Sequence, residues 1–179
     1  MWLREKIRRC ASRLPRQALI AGFGSLLLAG CLQPVYGPLS AGGSVESELQ
    51  AIQIDPISDR LGHYLGNELI FNLNGTGSHV PPKYRLKVVV FESVQTPLID
   101  TVSGRASAAT VVVNAIYILT PVGGDVPITK GTATVTASYD RNSQRFANLR
   151  AARDAEIRDA KALADQIRLR LATAFAAKG

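Results

Sequence analysis

Few residues of this 179-residue chain have side chains that commonly do chemistry. The chain has two cysteines, Cys10 and Cys31, and two histidines, His63 and His79. Neither histidine belongs to an Asp-x-His motif or has a cysteine at a metal-site spacing, so both are interpreted as ordinary surface or capping residues. No G-x-S-x-G or H-E-x-x-H motif occurs, and the glycines in residues 75–77 follow a predicted helix rather than a strand. We therefore predict no catalytic residue, no metal and no cofactor.

The carboxylates of the last predicted helix are the remaining candidates for acid–base chemistry. They are interleaved with arginines and comprise Asp154, Glu156, Asp159 and Asp165. Acidic and basic side chains at helical spacing usually form solvated ion pairs. We interpret these four residues as surface charges, and we predict that the protein is not an enzyme.

Cys31 follows a segment with the pattern of a secretory signal peptide. A basic stretch that ends at Arg16 precedes an apolar run from Ala18 to Ala29. A membrane-spanning helix needs about 20 apolar residues, so no transmembrane helix is expected. The last residues, Leu28-Ala29-Gly30-Cys31, resemble the bacterial lipobox, whose cysteine thiol accepts diacylglycerol. We predict that residues 1–30 are a lipoprotein signal peptide and that Cys31 becomes the lipidated, palmitate-bearing N-terminus.

The residues after the lipobox indicate how the mature chain is organised. The residue after the cysteine is Leu32 and not Asp. By resemblance to bacterial lipoproteins, the lack of an Asp at this position favours export of the protein to the outer membrane. Residues 31–44 are rich in Gly, Pro and Ser and are predicted to form the lipidated N-terminus and a flexible tether. Residues 45–179 then form a single domain. The alternative is that Cys31 is an ordinary buried cysteine.

The positive charge of the chain is concentrated in the signal peptide. The formal net charge is +7, but residues 1–30 hold six basic residues and one acidic residue, which leaves +2 for residues 31–179. A near-neutral body argues against a nucleic-acid partner. The content of 46% hydrophobic and 20% charged residues is typical of a folded domain.

Apolar periodicity predicts a β-α-β-β-β-α order, with the helices on one face of a sheet. The predicted elements are strand 49–54, helix 57–73, strand 84–90, strand 105–119, strand 128–139 and helix 143–177.

The last helix should pack along the sheet and extend beyond it. Its predicted apolar face comprises Ile157, Ala160, Ala164, Ile167, Leu171 and Ala174. At 1.5 Å per residue the helix is roughly 50 Å long, which exceeds the width of a four-stranded sheet, so one end is expected to project.

Several basic residues outside the signal peptide could bind an anionic lipid, and three of them cluster at the start of this helix. Arg105 opens the third strand, Lys130 lies on the fourth, and Arg141, Arg145 and Arg150 surround the helix start. Cations at a helix N-terminus oppose the helix dipole, so the cluster is unfavourable unless acids or an anionic partner offset it. Two interpretations remain open, a site for the phosphates of an anionic lipid and a set of solvated surface charges.

Short motifs follow the lipobox in a recognisable order. They are Gln33-Pro34-Val35-Tyr36-Gly37, Ser138-Tyr139, Phe146-Ala147 and an Ala/Asp/Arg-rich final helix. Together with the predicted strands, they resemble the LptE family of lipopolysaccharide-assembly lipoproteins over essentially the whole mature chain. Leu32 departs from the family pattern, in which many relatives have Gly.

The resemblance implies an α+β fold, a two-layer sandwich of a four-stranded mixed sheet covered by two helices. It implies an outer-membrane lipoprotein that faces the periplasm, lies in the lumen of the β-barrel LptD as a plug, assists barrel assembly and binds lipopolysaccharide. The family's lipopolysaccharide-contacting neighbourhoods correspond here to Arg105 and Arg150, and the basic cluster adds Lys130 and Arg145 as candidates. The alternative is a non-enzymatic accessory or scaffold lipoprotein of another outer-membrane machine.

Overall fold

The structure is a computed structural model that describes residues 44–75, 80–96 and 107–178. The predicted signal peptide, Cys31, most of the tether, His79 and Arg105 lie outside these residues. The described elements are α1 (Val45–Gln50), β1 (Ile52–Ile54), α2 (Asp59–Asn74), β2 (Tyr84–Gln95), β3 (Ala108–Pro121), β4 (Thr129–Asp140) and α3 (Arg145–Ala176).

The strands form one four-stranded sheet in the order β1-β2-β3-β4. β1 pairs with β2 in parallel, whereas β2 with β3 and β3 with β4 are antiparallel. Every second residue of β3 from Ala109 to Leu119 is buried, which is the pattern of a sheet covered on one face. The helices α2 and α3 pack against each other and against that face. The predicted two-layer α+β sandwich with a mixed sheet is therefore confirmed.

The prediction of a strand from residue 49 was wrong, because residues 45–50 form the short helix α1. Ser44 and Ser47 make a reciprocal capping box in which the Ser44 hydroxyl accepts from the Ser47 backbone N–H at 3.1 Å. Val45 and Leu49 are one helical turn apart and both are buried. The strand itself is reduced to residues 52–54.

Helix α2 buries Leu61, Leu65, Leu69 and Leu73, which confirms the predicted four-residue periodicity. Gly62 lies against the chain that enters the helix. A Cβ atom at this position would approach Ile57 Cγ2 to 2.7 Å and the Ile57 carbonyl carbon to 3.0 Å. The glycine is therefore required for this close contact, whereas a Cβ at Gly66 would meet only Ile57 Cδ1 at 4.0 Å.

Helix α3 buries Ala160, Ala164, Ile167 and Leu171 as predicted, but Ile157 was assigned to the wrong face. Its side chain is 40% exposed, and the face instead continues through Ala155, Leu163, Ala172 and Phe175. The first buried residue of the helix is Ala155, and the ten residues before it are exposed or half-buried. This pattern supports the prediction that one end of the helix projects.

Candidate functional site

A groove lies along the projecting start of α3, where the helix faces the first turn of α2. Its volume is about 280 Å³. Two apolar side chains, three arginines, one alanine and one glutamate line it: Phe146, Leu149, Arg60, Arg150, Arg153, Ala152 and Glu156. We call this the α3 groove.

The loop before α3 is held in place by two asparagines. The Asn148 side chain accepts from the Asn142 backbone N–H at 2.9 Å and donates to the Asn142 carbonyl oxygen at 2.8 Å. The N-cap residue Gln144 makes no side-chain cap, and the first turn of the helix carries no acidic residue. The positive end of the helix dipole therefore lies beside basic side chains without a local carboxylate to offset it.

One wall of the α3 groove is fixed by an ion pair between the two helices. Arg60 of α2 donates from Nε to Glu156 Oε2 at 2.8 Å, and its Nη2 donates to Glu156 Oε1, which gives a two-bonded contact. Glu156 is only 4% exposed, so the prediction that it is a surface charge was wrong. The hydrogen bonds and charge of Glu156 raise the pKa of Arg60. The arginine fork therefore stays charged and holds the groove wall in place.

The other arginines of the α3 groove are free to meet a ligand. The side chains of Arg150 and Arg153 form no ion pair or hydrogen bond with any residue in the described ranges. Both arginines are exposed, and they share the groove lining with Phe146, which is 82% exposed, and Leu149, which is 58% exposed. Exposed apolar side chains beside unpaired cations suit an anionic amphiphile, because charge and hydrocarbon are matched in one place.

Behind the groove wall, α3 carries a second buried carboxylate. Asp159 is 2% exposed, and its Oδ2 has no hydrogen-bond partner among the described residues. Burial raises the pKa of Asp159 to about 6, although the charge of Arg158 and a backbone hydrogen bond from Ala137 oppose the shift. Partial burial and the Glu156 charge also raise the pKa of Glu92 on β2. The prediction that Asp159 is a solvated charge was therefore wrong.

Two carboxylates of the same helix do behave as predicted. Asp154 pairs with Arg158 one turn later at 2.9 Å on the exposed surface. Asp165 accepts a hydrogen bond from the Asn72 side chain at 2.9 Å, also on the surface. Asp154 and Asp165 are exposed and Glu156 and Asp159 are buried because the two pairs lie on different sides of the helix.

The structure separates the predicted lipid-contacting residues. Arg150 lines the α3 groove, and Arg145 lies on the first turn of the same helix and is exposed. Lys130 is near the opposite end of β4, about 33 Å along the strand from Asp140 at ~3.3 Å per residue. Arg105 and Cys31 lie outside the described residues.

Sequence reasoning missed Arg60 and Arg153 as members of the groove. Arg153 and Arg150 are three residues apart on the helix, as are Phe146 and Leu149, so this half of the groove could have been found by spacing. Arg60 is ninety-six residues from its partner Glu156, and no local pattern indicates that contact.

Other side chains offer little for chemistry. His63 is exposed and lies 3.3 Å from the Asn67 side chain, as expected for a surface residue. Within residues 44–75, 80–96 and 107–178, no three His, Cys, Asp or Glu side chains are grouped so that they could hold a metal ion. None of the helices in that part of the chain combines the length and the apolar character of a membrane span.

Comparison with known proteins gives the family. The profile of the LptE family, described as lipopolysaccharide-assembly, matches residues 49–171. A crystal structure of a candidate lipoprotein from Caulobacter crescentus CB15 has a TM-score of 0.59 and 28% identity, covering 74% of this chain and 96% of that chain.

More distant structures are also similar. The minor lipoprotein of Acinetobacter baumannii has 15% identity and a TM-score of 0.46, over 68% of this chain and 91% of its own. The rare lipoprotein B of Shewanella oneidensis has 13% identity and a TM-score of 0.44, over 71% and 94%. No curated protein matches significantly. Because the family profile covers more than half of the sequence, the chain belongs to the LptE family of lipopolysaccharide-assembly lipoproteins.

Proposed function

We propose that this protein is an outer-membrane lipoprotein that plugs the LptD β-barrel, helps to assemble it, and binds lipopolysaccharide on its way to the outer leaflet. Family membership supports the general role in lipopolysaccharide assembly. The observation that carries lipopolysaccharide binding is the α3 groove, with the unpaired Arg150 and Arg153 beside the exposed Phe146 and Leu149.

The chemistry of the ligand fits that of the groove. Lipopolysaccharide presents phosphates on a sugar unit that also carries acyl chains. Arg150 and Arg153 can each donate charge-assisted hydrogen bonds to phosphate oxygens, worth about 1.5 to 3 kcal/mol per contact. Phe146 and Leu149 can cover the first carbons of an acyl chain at about 25 cal/mol per Å² of apolar area removed from water.

Anchorage and barrel contact use other parts of the chain. Lipidation of Cys31 with several acyl chains would hold the protein stably on the periplasmic side of the outer membrane. The open face of the sheet carries the threonines of β4, Thr132, Thr134 and Thr136, all exposed and aligned on one side of the strand. Such a row suits contact with the inner wall of a β-barrel, in which neighbouring side chains are polar.

Lipopolysaccharide binding is tested by replacing the unpaired arginines of the α3 groove. Arg150→Ala with Arg153→Ala should lower lipopolysaccharide retention by at least tenfold at low salt. The difference in retention between the wild type and this variant should be smaller at high salt. Lys161→Ala with Lys178→Ala removes the same charge outside the groove, from α3 and from just beyond its end, and should retain wild-type binding. Equal retention by both double variants would reject the groove as the site.

The residues suggested by family resemblance need their own comparison. Arg105→Ala with Arg150→Ala should weaken lipopolysaccharide binding and leave the barrel complex intact. Lys130→Ala tests whether a second contact exists at the far end of the sheet.

Barrel partnership is tested separately by co-purification with LptD. A stable complex formed by the wild type and by the Arg150→Ala/Arg153→Ala variant supports the plug role. If no barrel co-purifies with the wild type, the protein is instead an accessory lipoprotein of another outer-membrane machine.

A further inference from the structure

The two edges of the sheet differ in how far other residues contact their main-chain groups. At the β4 edge, Arg158 of α3 donates to the Ser138 carbonyl oxygen at 3.1 Å, and Arg170 donates to the Thr132 carbonyl oxygen. Two guanidinium groups thus occupy main-chain acceptors of this strand. Another chain that paired with this edge would have to displace these two side chains, so the contacts hinder pairing here.

Among residues 44–75, 80–96 and 107–178, no strand pairs with most of the opposite edge. β1 pairs with β2 only at residues 84–86, and the Asp55 backbone N–H, which donates to the Leu86 carbonyl oxygen at 2.9 Å, ends the contact. Residues 87–95 of β2 are paired with β3 on one side and with no described strand on the other. This leaves an edge nine residues long, which we call the β2 edge.

The main-chain groups of the β2 edge have a defined direction. Because the Leu86 carbonyl points towards β1 and backbone groups alternate along a strand, the even-numbered residues direct their N–H and C=O groups outward. These residues are Val88, Val90, Glu92 and Val94. An extended chain that lies beside them can form a ladder without disturbing β3, whose hydrogen bonds use the odd-numbered residues.

There is room for such a chain. Residues 55–59 and 87–90 enclose a groove of about 380 Å³ at the start of the β2 edge. Along the edge, Val89 is 43% exposed, and Phe91 and Val94 are each 56% exposed. A long, apolar and uncovered edge strand is a template for pairing with another polypeptide.

Charge indicates what kind of segment fits. Lys87 is exposed, and it has no ion-pair partner in the described ranges. Lys87 is in register with Ile118, which is in register with Lys130, so one row across the open face carries two cations. Next along the strand, Val89 is in register with Ile116, and both are exposed. An acidic side chain beside the first row and an apolar one beside the second would be complementary.

We propose that the β2 edge binds an extended segment of a partner protein, which adds to the sheet as a strand, places an acidic side chain against Lys87 and places apolar side chains along Val89 and Phe91. This surface is distinct from the α3 groove, so the inference does not depend on lipopolysaccharide binding. The edge groups, the adjoining groove and the contrast with the arginine-covered β4 edge support it.

The first test uses a synthetic nine-residue peptide of alternating Thr and Val with one Glu near its end, and a matched peptide with Lys in place of Glu. We expect the Glu peptide to slow hydrogen exchange at the amides of Val88, Val90, Glu92 and Val94 by at least tenfold. Amides of the odd-numbered residues, which already bond to β3, should change little. No protection of the even-numbered amides by either peptide would overturn the proposal.

Lys87→Glu tests the charge argument without altering the core. The variant should bind the Glu peptide roughly threefold or more weakly than the wild type and should prefer the Lys peptide. Lys161→Glu makes the same charge change on α3 and should keep the wild-type preference. Equal affinity of the wild type for both peptides would overturn the assignment of an acidic segment.

Val90→Pro removes one outward N–H from the β2 edge and should abolish peptide binding while the circular dichroism spectrum is kept. If this variant unfolds, the Lys87→Glu comparison decides the question. Sedimentation of the protein without peptide tests the other possible occupant of the edge, a second copy of this chain. Protection of the even-numbered amides that rises with protein concentration as dimers form would show that a second copy of this chain covers the edge, and would overturn the proposal.

Discussion

Asp159→Asn should change how the stability of the protein depends on pH. Asp159 is 2% exposed, one of its carboxylate oxygens has no hydrogen-bond partner among the described residues, and burial raises its pKa from 3.8 to about 6. The folded protein therefore binds this proton more tightly than the unfolded chain does. The stabilisation that comes from protonated Asp159 is fully present below about pH 4 and is lost as the pH rises through 6.

The size of the effect follows from the shift. Each pKa unit corresponds to about 1.36 kcal/mol, so the two-unit shift of Asp159 costs the wild type about 3 kcal/mol between pH 4 and pH 7. Asparagine has nearly the same shape and does not ionise. The variant should therefore match the wild type near pH 4 and exceed its unfolding free energy by up to about 3 kcal/mol at pH 7.

Urea unfolding of both proteins at pH 4, 5, 6 and 7 measures this difference. The lowered pKa of Glu48, which accepts a hydrogen bond from Tyr84, contributes equally to the two proteins. The charge of Glu92 helps to raise the pKa of Asp159, so the difference between variant and wild type measures Asp159 together with its interaction with Glu92. A difference that stays constant over this pH range would show that Asp159 titrates as an exposed carboxyl and would refute the reasoning.

Three further predictions follow from packing and from the lipobox. Ile167→Asp places an unpaired carboxylate at a fully buried position and should cost several kcal/mol, so an unchanged melting temperature would contradict the packing of α3. Gly62→Ala should destabilise by about 1 kcal/mol or more because the new Cβ meets Ile57, whereas Gly66→Ala should stabilise by roughly 0.5 to 1 kcal/mol through helix propensity. Thermal denaturation of the two variants compares them directly, and equal shifts would contradict the close contact. Cys31→Ala should abolish incorporation of labelled fatty acid, and a labelled variant would refute lipidation at this residue.

Much of the fold could be predicted because its elements have regular apolar periods. Helix α2 repeats leucine every four residues, and β2 alternates Leu86 and Val88 with Arg85 and Lys87. The start of the domain could not be predicted in the same way, since residues 49–54 satisfy a short strand pattern. The capping box of Ser44 and Ser47 stabilises helix α1 at its first turn. In the sequence this signal competes with an alternating apolar pattern that is itself only six residues long.

The candidate site could be predicted only in part. Arg150 was found because it belongs to a local cluster of cations at a helix start. The burial of Glu156 and Asp159 could not be found, because their spacing from arginines is also that of exposed ion pairs, as Asp154 and Arg158 show. Which carboxylate is buried depends on the contact with α2 and the sheet, and those contacts join residues far apart in sequence.

The most direct measurement of the central claim is photo-crosslinking to lipopolysaccharide from the α3 groove. A photoreactive amino acid replaces Phe146, which is 82% exposed in the groove, or Val126, which is 78% exposed in the turn between β3 and β4. The proposed function predicts a crosslink to lipopolysaccharide from position 146 that is lost with Arg150→Ala/Arg153→Ala, and little or none from position 126. Equal crosslinking from both positions, or none from position 146, would contradict lipopolysaccharide binding in the α3 groove.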